Sequence, residues 1–149
     1  MTDRMKILCI GKSGQVAQAL AERTAFAGVD CVCLGRPELD LLSVENIEAA
    51  FGDTHPTIVV NAAAYTNVDG AESDQATAFA VNADAVGQLA EHCANRGLPL
   101  VHLSTDYVFD GEKKKGYSPS DKPNPINEYG KSKLLGEQYI QQIVRQVRL

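Results

Sequence analysis

The sequence has no excess of basic residues. Lys and Arg number 14 against 19 Asp and Glu, for a net charge of −5. That balance argues against nucleic acid or an anionic membrane as the main partner. No apolar run approaches the ~20 residues that a membrane span needs. The leading stretch, Met1-Thr2-Asp3-Arg4-Met5-Lys6, opens onto only four apolar residues before Gly11, too few for a secretory signal. The expected compartment is therefore the cytoplasm. Cysteines are few: Cys9, Cys31, Cys33 and Cys93, with no Cys-x-x-Cys and no Cys/His spacing of a zinc site. They read as free, buried thiols, with Cys31 and Cys33 on one face of a strand. Internal repeats, low-complexity tracts and heptads are absent as well.

What is present is a globular composition, 44% hydrophobic and 22% charged over 149 residues. A chain of this size forms one domain that buries roughly two thirds of its unfolded surface. Short β-branched or apolar runs alternate with helical patterns. The runs Lys6–Ile10, Cys31–Leu34, Thr57–Asn61 and Leu98–Leu103 read as strands. Helices are expected over Gln15–Ala27, Val44–Phe51 with Ser43 as N-cap, Gln75–Arg96 and Asn127–Val147. Thr57-Ile-Val-Val-Asn61 is apolar on both faces, as a buried parallel strand should be. The alternation predicts an α/β fold, a doubly wound parallel sheet of order 3-2-1-4 in the part present.

Two features depart from the pattern. Thr105 to Pro125 has no sustained period and contains Lys113-Lys114-Lys115, which reads as a solvated loop tip; a loop this long in a compact domain usually has a function. The chain also stops at a helix after four strands, where such a sheet normally continues. Residues 1–149 are therefore expected to be an incomplete domain, a fragment or the product of a gene cut short, without its substrate-binding part.

The first strand runs into Gly11-Lys12-Ser13-Gly14-Gln15-Val16-Ala17, a glycine turn that opens a helix. Gly11 permits the turn, Gly14 lets backbone N–H groups approach a pyrophosphate, and Ala17 lets helix and strand pack closely. Gly11-Lys12-Ser13 is not a P-loop, because the upstream glycine of that motif is replaced by Lys6. The tip of the second strand, Leu34-Gly35-Arg36, has no carboxylate to hold ribose hydroxyls. Arg36 there suits a 2′-phosphate, which leans towards NADPH over NADH.

Tyr129-Gly130-Lys131-Ser132-Lys133 places a phenol and an ammonium one helical turn apart. A phenol is a poor acid at neutral pH, and an ammonium about 4 Å away stabilises the phenolate by roughly 4 kcal/mol in a partly screened site. The start of a helix acts in the same direction, so the pair suits acid–base chemistry. The fourth strand ends in Ser104-Thr105-Asp106-Tyr107-Val108-Phe109-Asp110-Gly111. This sets hydroxyls at the carboxyl edge of the sheet, where open α/β folds bind ligands. Thr105 can polarise a carbonyl there or simply cap the strand end.

Taken together, these segments resemble the extended short-chain dehydrogenase/reductase superfamily, and within it the dTDP-4-dehydrorhamnose reductase family. The matching pieces are Gly11 to Val16, Val60-Asn61-Ala62-Ala63-Ala64-Tyr65-Thr66, Val68-Asp69-Gly70-Ala71-Glu72, Ser104 to Gly111 and Tyr129 to Glu137. They occur in the family's order and correspond to about the first half of a member. The resemblance implies a Rossmann-type domain that supports reduction of the 4-keto group of a dTDP-sugar by NADPH or NADH. It implies that Tyr129 is the proton donor, that Lys133 holds the nicotinamide ribose, and that Thr105 is the carbonyl-polarising residue. Thr105 and Asp106 would touch the sugar. Gly14, Gln15 and Val16 would meet the pyrophosphate, Asp40 and Leu41 the adenine region, and Ala64, Tyr65 and Thr66 the other flank of the cofactor.

Related dehydratases carry an Asp-Glu pair after the threonine. Here Asp106 is followed by Tyr107, which favours simple reduction. Ala19 stands where some members hold magnesium through a glutamate, so no metal is expected. The family's Tyr-x-Glu-x-Asp reads Tyr117-Ser118-Pro119-Ser120-Asp121, with proline in place of glutamate. A homodimer of a full-length parent is compatible with the resemblance. The alternative from another class is a non-catalytic NAD(P)-binding module similar to the methionine adenosyltransferase regulatory subunit.

Overall fold

A computed structural model describes residues 4–147, which fall into two compact units. One runs up to Ala63 and includes Gln88–Leu103; the other comprises Ala64–Gly87 and the chain from Ser104 onward.

The first unit contains the sheet: β1 (Lys6–Ile10), β2 (Asp30–Leu34), β3 (Ile58–Asn61) and β4 (Leu100–His102), all parallel, in the order β2-β1-β3-β4. β1 is its apolar centre, with Ile7, Leu8, Cys9 and Ile10 all buried. A strand flanked on both edges and covered on both faces has no solvent side, which is why it shows no polar alternation. α1 (Gln15–Ala27) lies against β2 and closes at Gly28, whose left-handed φ of 66° ends the helix. α2 (Val44–Thr54) starts as expected at Ser43, whose hydroxyl accepts from the Asn46 N–H at 3.2 Å. α2 buries Ile47, Ala50 and Phe51.

The expected order 3-2-1-4 is corrected here. The third strand does not lie outside β2 but beside β1, with Val59 in register with Leu8. Residues 35–43, between β2 and α2, hold no strand and turn at 36–38 and 41–42. Within them Leu39 and Leu41 are buried at 2% and 6% exposure, and the Asp40 N–H donates to the Asn46 side chain. After α2, the Ile58-Val59-Val60 run takes the slot between β1 and β4. That slot gives it hydrogen-bonding neighbours on both edges, the position that best satisfies an all-apolar strand.

The second unit is helical: α3 (Val68–Ser73), α4 (Gln75–Phe79), the start of α5 (Ala85–Asn95) and α6 (Glu128–Val147), with a 3-10 turn at Asp106–Val108. The single helix expected over Gln75–Arg96 is interrupted at Ala80–Asp84 by a π-turn. α3 was not expected. It is too short to show a period and contains Gly70, and it is set by Asn67, whose side chain caps the Gly70 N–H at 2.9 Å.

Leu8 is fully buried and Phe26 is 92% exposed. Leu8→Ala should cost about 2–5 kcal/mol, whereas Phe26→Ser should stay within about 0.5 kcal/mol of the parent, both read by urea denaturation.

Candidate active site

The candidates at the glycine turn and at the tip of β2 belong to the first unit, whereas Ala64, Tyr65, Thr66 and Lys133 belong to the second. β1 delivers the chain to Gly11 at φ +127°, a conformation that side-chain-bearing residues rarely adopt. A Cβ there would also stand 3.2 Å from the Ala62 carbonyl carbon. The Gly11 N–H donates to the Leu34 carbonyl at 2.7 Å, which ties the turn to the end of β2. Gly14 is the N-cap of α1 and supplies no side-chain cap; the first turn carries no acidic residue, and nothing lies within 4 Å of where a Gly14 Cβ would be. Gly14, Gln15 and Val16 are exposed and Ala17 is buried. A helix start with uncapped N–H groups and open space before it fits a diphosphate.

Arg36 is exposed just beyond β2. Lys12 pairs with Glu38 at 2.7 Å, and its Cβ crowds Gly35, where an added Cβ would lie 3.0 Å away. Lys12 is thus a second cation next to the end of β2. The sequence offered it only as part of a failed P-loop. Asp40 uses one carboxylate oxygen to accept from the Leu42 N–H at 3.0 Å, and Leu41 is a core residue.

The proton-transfer candidates belong to the second unit. Asn127 immediately precedes α6, and its side chain accepts from the Gly130 N–H at 2.7 Å. Tyr129 is 9% exposed and packs with Ala71, Ala78, Tyr65 and Val68. Its ring meets Tyr107 edge to face at 5.6 Å. Lys133, one turn on, is 3% exposed. Burial pushes the Lys133 ammonium below the usual lysine range, and the Glu137 carboxylate one turn further opposes that shift. Glu137 also accepts a hydrogen bond from the Ser104 hydroxyl. The Thr105 hydroxyl accepts from the Tyr107 N–H at 3.3 Å and lies 3.4 Å from Asp106 Oδ1, so it caps the 3-10 turn. Asp106 and Thr66 are exposed; Ala64 and Tyr65 are half-buried.

Sequence reasoning missed Asn82. It sits in the π-turn at 1% exposure. Its Oδ1 accepts from the Tyr65 N–H at 2.8 Å, and its Nδ2 donates to the Tyr65 carbonyl and to Ser132 Oγ, each at 3.0 Å. Ser132 in turn donates to the Tyr129 carbonyl at 2.7 Å. Asn82 therefore joins the backbone of Tyr65 to the turn of α6 that carries Tyr129 and Lys133. The π-turn turns its amide inward, as such turns often do at working sites. The available signal was a lone amide in Ala-Phe-Ala-Val-Asn82-Ala.

The aperiodic segment after Thr105 is organised around Asp110. Its carboxylate accepts from Tyr117 Oη at 2.5 Å, from Asn124 Nδ2 at 3.0 Å and from the Glu112 N–H at 3.1 Å. These bonds, Tyr117's foremost, lower its pKa to about 2. Phe109 stacks on Tyr117 at 4.3 Å. The lysine run is only partly a solvated tip, because Lys113 pairs with Asp121 and lies 5.7 Å from the Tyr117 ring centroid. Tyr117 and Asp121 both serve the loop's own bonds, with Pro119 between them.

A family model described as the RmlD substrate binding domain matches residues 5–149. The dTDP-4-dehydrorhamnose reductase of Sinorhizobium fredii is 48% identical over 133 residues, which is 89% of this chain and 45% of that protein. The enzyme of the same name from Burkholderia thailandensis is 51% identical over 133 residues, 89% of this chain and 44% of that one. A crystal structure of dTDP-4-dehydrorhamnose reductase from Bacillus anthracis in complex with NADP aligns with a TM-score of 0.90 at 31% identity, covering 96% of this chain and 51% of that one. The chain thus spans about half the length of the relatives it matches.

Asn82→Ala should cost about 2–3 kcal/mol, since it strands the Tyr65 N–H and removes the donor to Ser132. Gly136→Ala should also destabilise, because its Cβ would overlap the Asn82 carbonyl oxygen. Thermal or urea unfolding checks both. Asp110 has a folded pKa below its unfolded value of ~3.9. Its contribution should be complete above about pH 4 and fade as pH falls towards about 2. Asp110→Asn should flatten the acid limb of the stability profile.

Proposed function

The chain belongs to the RmlD substrate binding domain family, and from that premise we propose that it is the dinucleotide-binding and proton-transfer half of an NAD(P)H-dependent dTDP-4-dehydrorhamnose reductase. The reaction is reduction of the 4-keto group of dTDP-4-dehydro-6-deoxy-L-mannose to give dTDP-L-rhamnose. The observation that carries this is the occurrence, in one chain, of an uncapped glycine helix start and a buried Tyr129/Lys133 pair one turn apart.

The cofactor, when bound, supplies a hydride to the ketone carbon. Gly11 and Gly14 leave room for its diphosphate, to which the N–H groups at Gln15 and Val16 would donate. Arg36, with Lys12 close to the same strand end, favours the 2′-phosphate of NADPH over the bare ribose of NADH. Lys133 binds ribose hydroxyls with its ammonium and stabilises negative charge on the Tyr129 oxygen. Tyr129 Oη gives its proton to the ketone oxygen as that oxygen becomes an alkoxide. Thr105 would donate a hydrogen bond to the same oxygen while keeping its proton, which requires its hydroxyl to turn from the Asp106 carboxylate it now faces. Asp106 is placed to take a sugar hydroxyl. Ser104 and Ser132 orient this set without entering the chemistry.

NADPH at ~100 times its dissociation constant should stabilise the chain by about 2.7 kcal/mol, seen as a raised melting temperature. Gly14→Val, which fills the space before α1, should abolish that shift. Lys133→Met should weaken NADPH binding yet leave the fold unchanged or about 0.5–2 kcal/mol more stable, since a buried charge is removed. In a full-length parent, with dTDP-4-dehydro-6-deoxy-L-mannose present, Tyr129→Phe should slow NADPH oxidation by about 10²–10⁴-fold without loss of NADPH binding; the 149-residue chain by itself is expected to be impaired. Absence of any shift with NADPH and NADH alike would overturn the proposal. Binding with no oxidation would leave a cofactor module only.

A further inference from the structure

Two thiols that the candidate site does not use lie side by side in the first unit. Cys31 and Cys33 are alternate residues of β2, so both side chains leave the same face of the sheet, and their sulfurs are 3.9 Å apart. Both are half-buried, whereas Cys9 and Cys93 are sealed in the core. All four thiols are free. Cys33 Sγ also donates to the Ala17 carbonyl oxygen at 3.7 Å, in the first turn of α1. The pair is therefore close to chelating distance, half-buried rather than sealed, and in contact with the helix that follows Gly14.

The protonation state narrows the chemistry. Burial raises the pKa of both thiols, so neither is a ready thiolate for attack on peroxides or disulfides. A trivalent arsenical suits such a pair better, because it exchanges oxygen ligands for sulfur in a condensation to which the thiols bring their own protons.

We propose that Cys31 and Cys33 form a dithiol site for trivalent arsenic, with one arsenic atom bridging the two sulfurs. With phenylarsine oxide, two S–H bonds and the As–O double bond are broken. Two As–S bonds form, one water leaves with both protons, and arsenic stays trivalent, so no oxidant or reductant is consumed. The second As–S bond closes within the molecule, which makes retention far stronger than a single thiol allows. Cys9 is the register partner of Cys33 on β1, but at 0% exposure it is closed to the reagent. Once bridged, Cys33 has no proton to donate, and the Ala17 carbonyl loses its sulfur partner. The site would therefore report on the start of α1, a consequence that does not rest on the proposed reductase activity.

The test treats the whole 149-residue chain with phenylarsine oxide, washes with 2-mercaptoethanol, and weighs the intact protein by mass spectrometry. One phenylarsenic group per chain should survive the monothiol wash and be released by 2,3-dimercaptopropanol. Cys31→Ala and Cys33→Ala should each lower retention about 100-fold, while Cys93→Ala should keep it. Amide resonances of residues 14–18 should shift on labelling in the parent only. Circular dichroism checks the fold of each variant, and Cys33→Ser replaces Cys33→Ala if the latter is unfolded. Retention by a folded Cys31→Ala variant, or loss of the label from the parent in the monothiol wash, would overturn the proposal.

Discussion

The amide of Asn82 must find all its hydrogen bonds inside the protein, since only 1% of the residue reaches solvent. An unpaired amide in that position would cost as much as several good packing contacts contribute. Its three bonds go to both backbone groups of Tyr65 and to the hydroxyl of Ser132. Much of the helical unit follows from this requirement. The helix through residues 80–84 widens to a π-turn, which aims the amide inward. Residue 136 has to be glycine, because the Asn82 carbonyl oxygen occupies the space of a Cβ. Ser132 has to be small and polar, because it relays the bond to the Tyr129 carbonyl.

The buried ammonium of Lys133 is the cost that this order supports. A lysine 3% exposed is disfavoured as a cation, and folding alone would favour an apolar side chain there. Glu137 offsets the penalty from one turn away, and the same carboxylate takes the Ser104 hydroxyl. The strand-end segment and α6 are thereby joined at the turn that carries the charge. A position that works against stability and is nevertheless surrounded by satisfied polar groups is the pattern expected of a residue kept for chemistry.

Most of the fold was legible because its signals are local. Gly28 and Gly97 stop helices, Ser43 caps α2, and the apolar Ile58–Val60 run can only be an interior strand. Sheet order was not legible, because it depends on whether the third strand pairs with the outer edge of β2 or with β1, and both edges accept an apolar strand. That choice is settled by pairing between segments distant in sequence, Ile7–Ile10 with Ile58–Asn61. The glycine turn and the Tyr129/Lys133 spacing could be read from periodicity and residue type. Asn82 and Asp110 could not, since each gathers partners from separate segments. Nothing in the sequence distinguishes an asparagine that bonds across 50 residues to Ser132 from one that faces water.

Among the described residues β4 pairs in the sheet with β3, and Val101 and Leu103 are among the exposed large hydrophobic residues. Leu100-Val101-His102 holds no lysine, carboxylate or proline of the kind that discourages strand addition. A strand of this composition suits an interior place in a parallel sheet, where a further strand would take up its remaining backbone N–H and C=O groups.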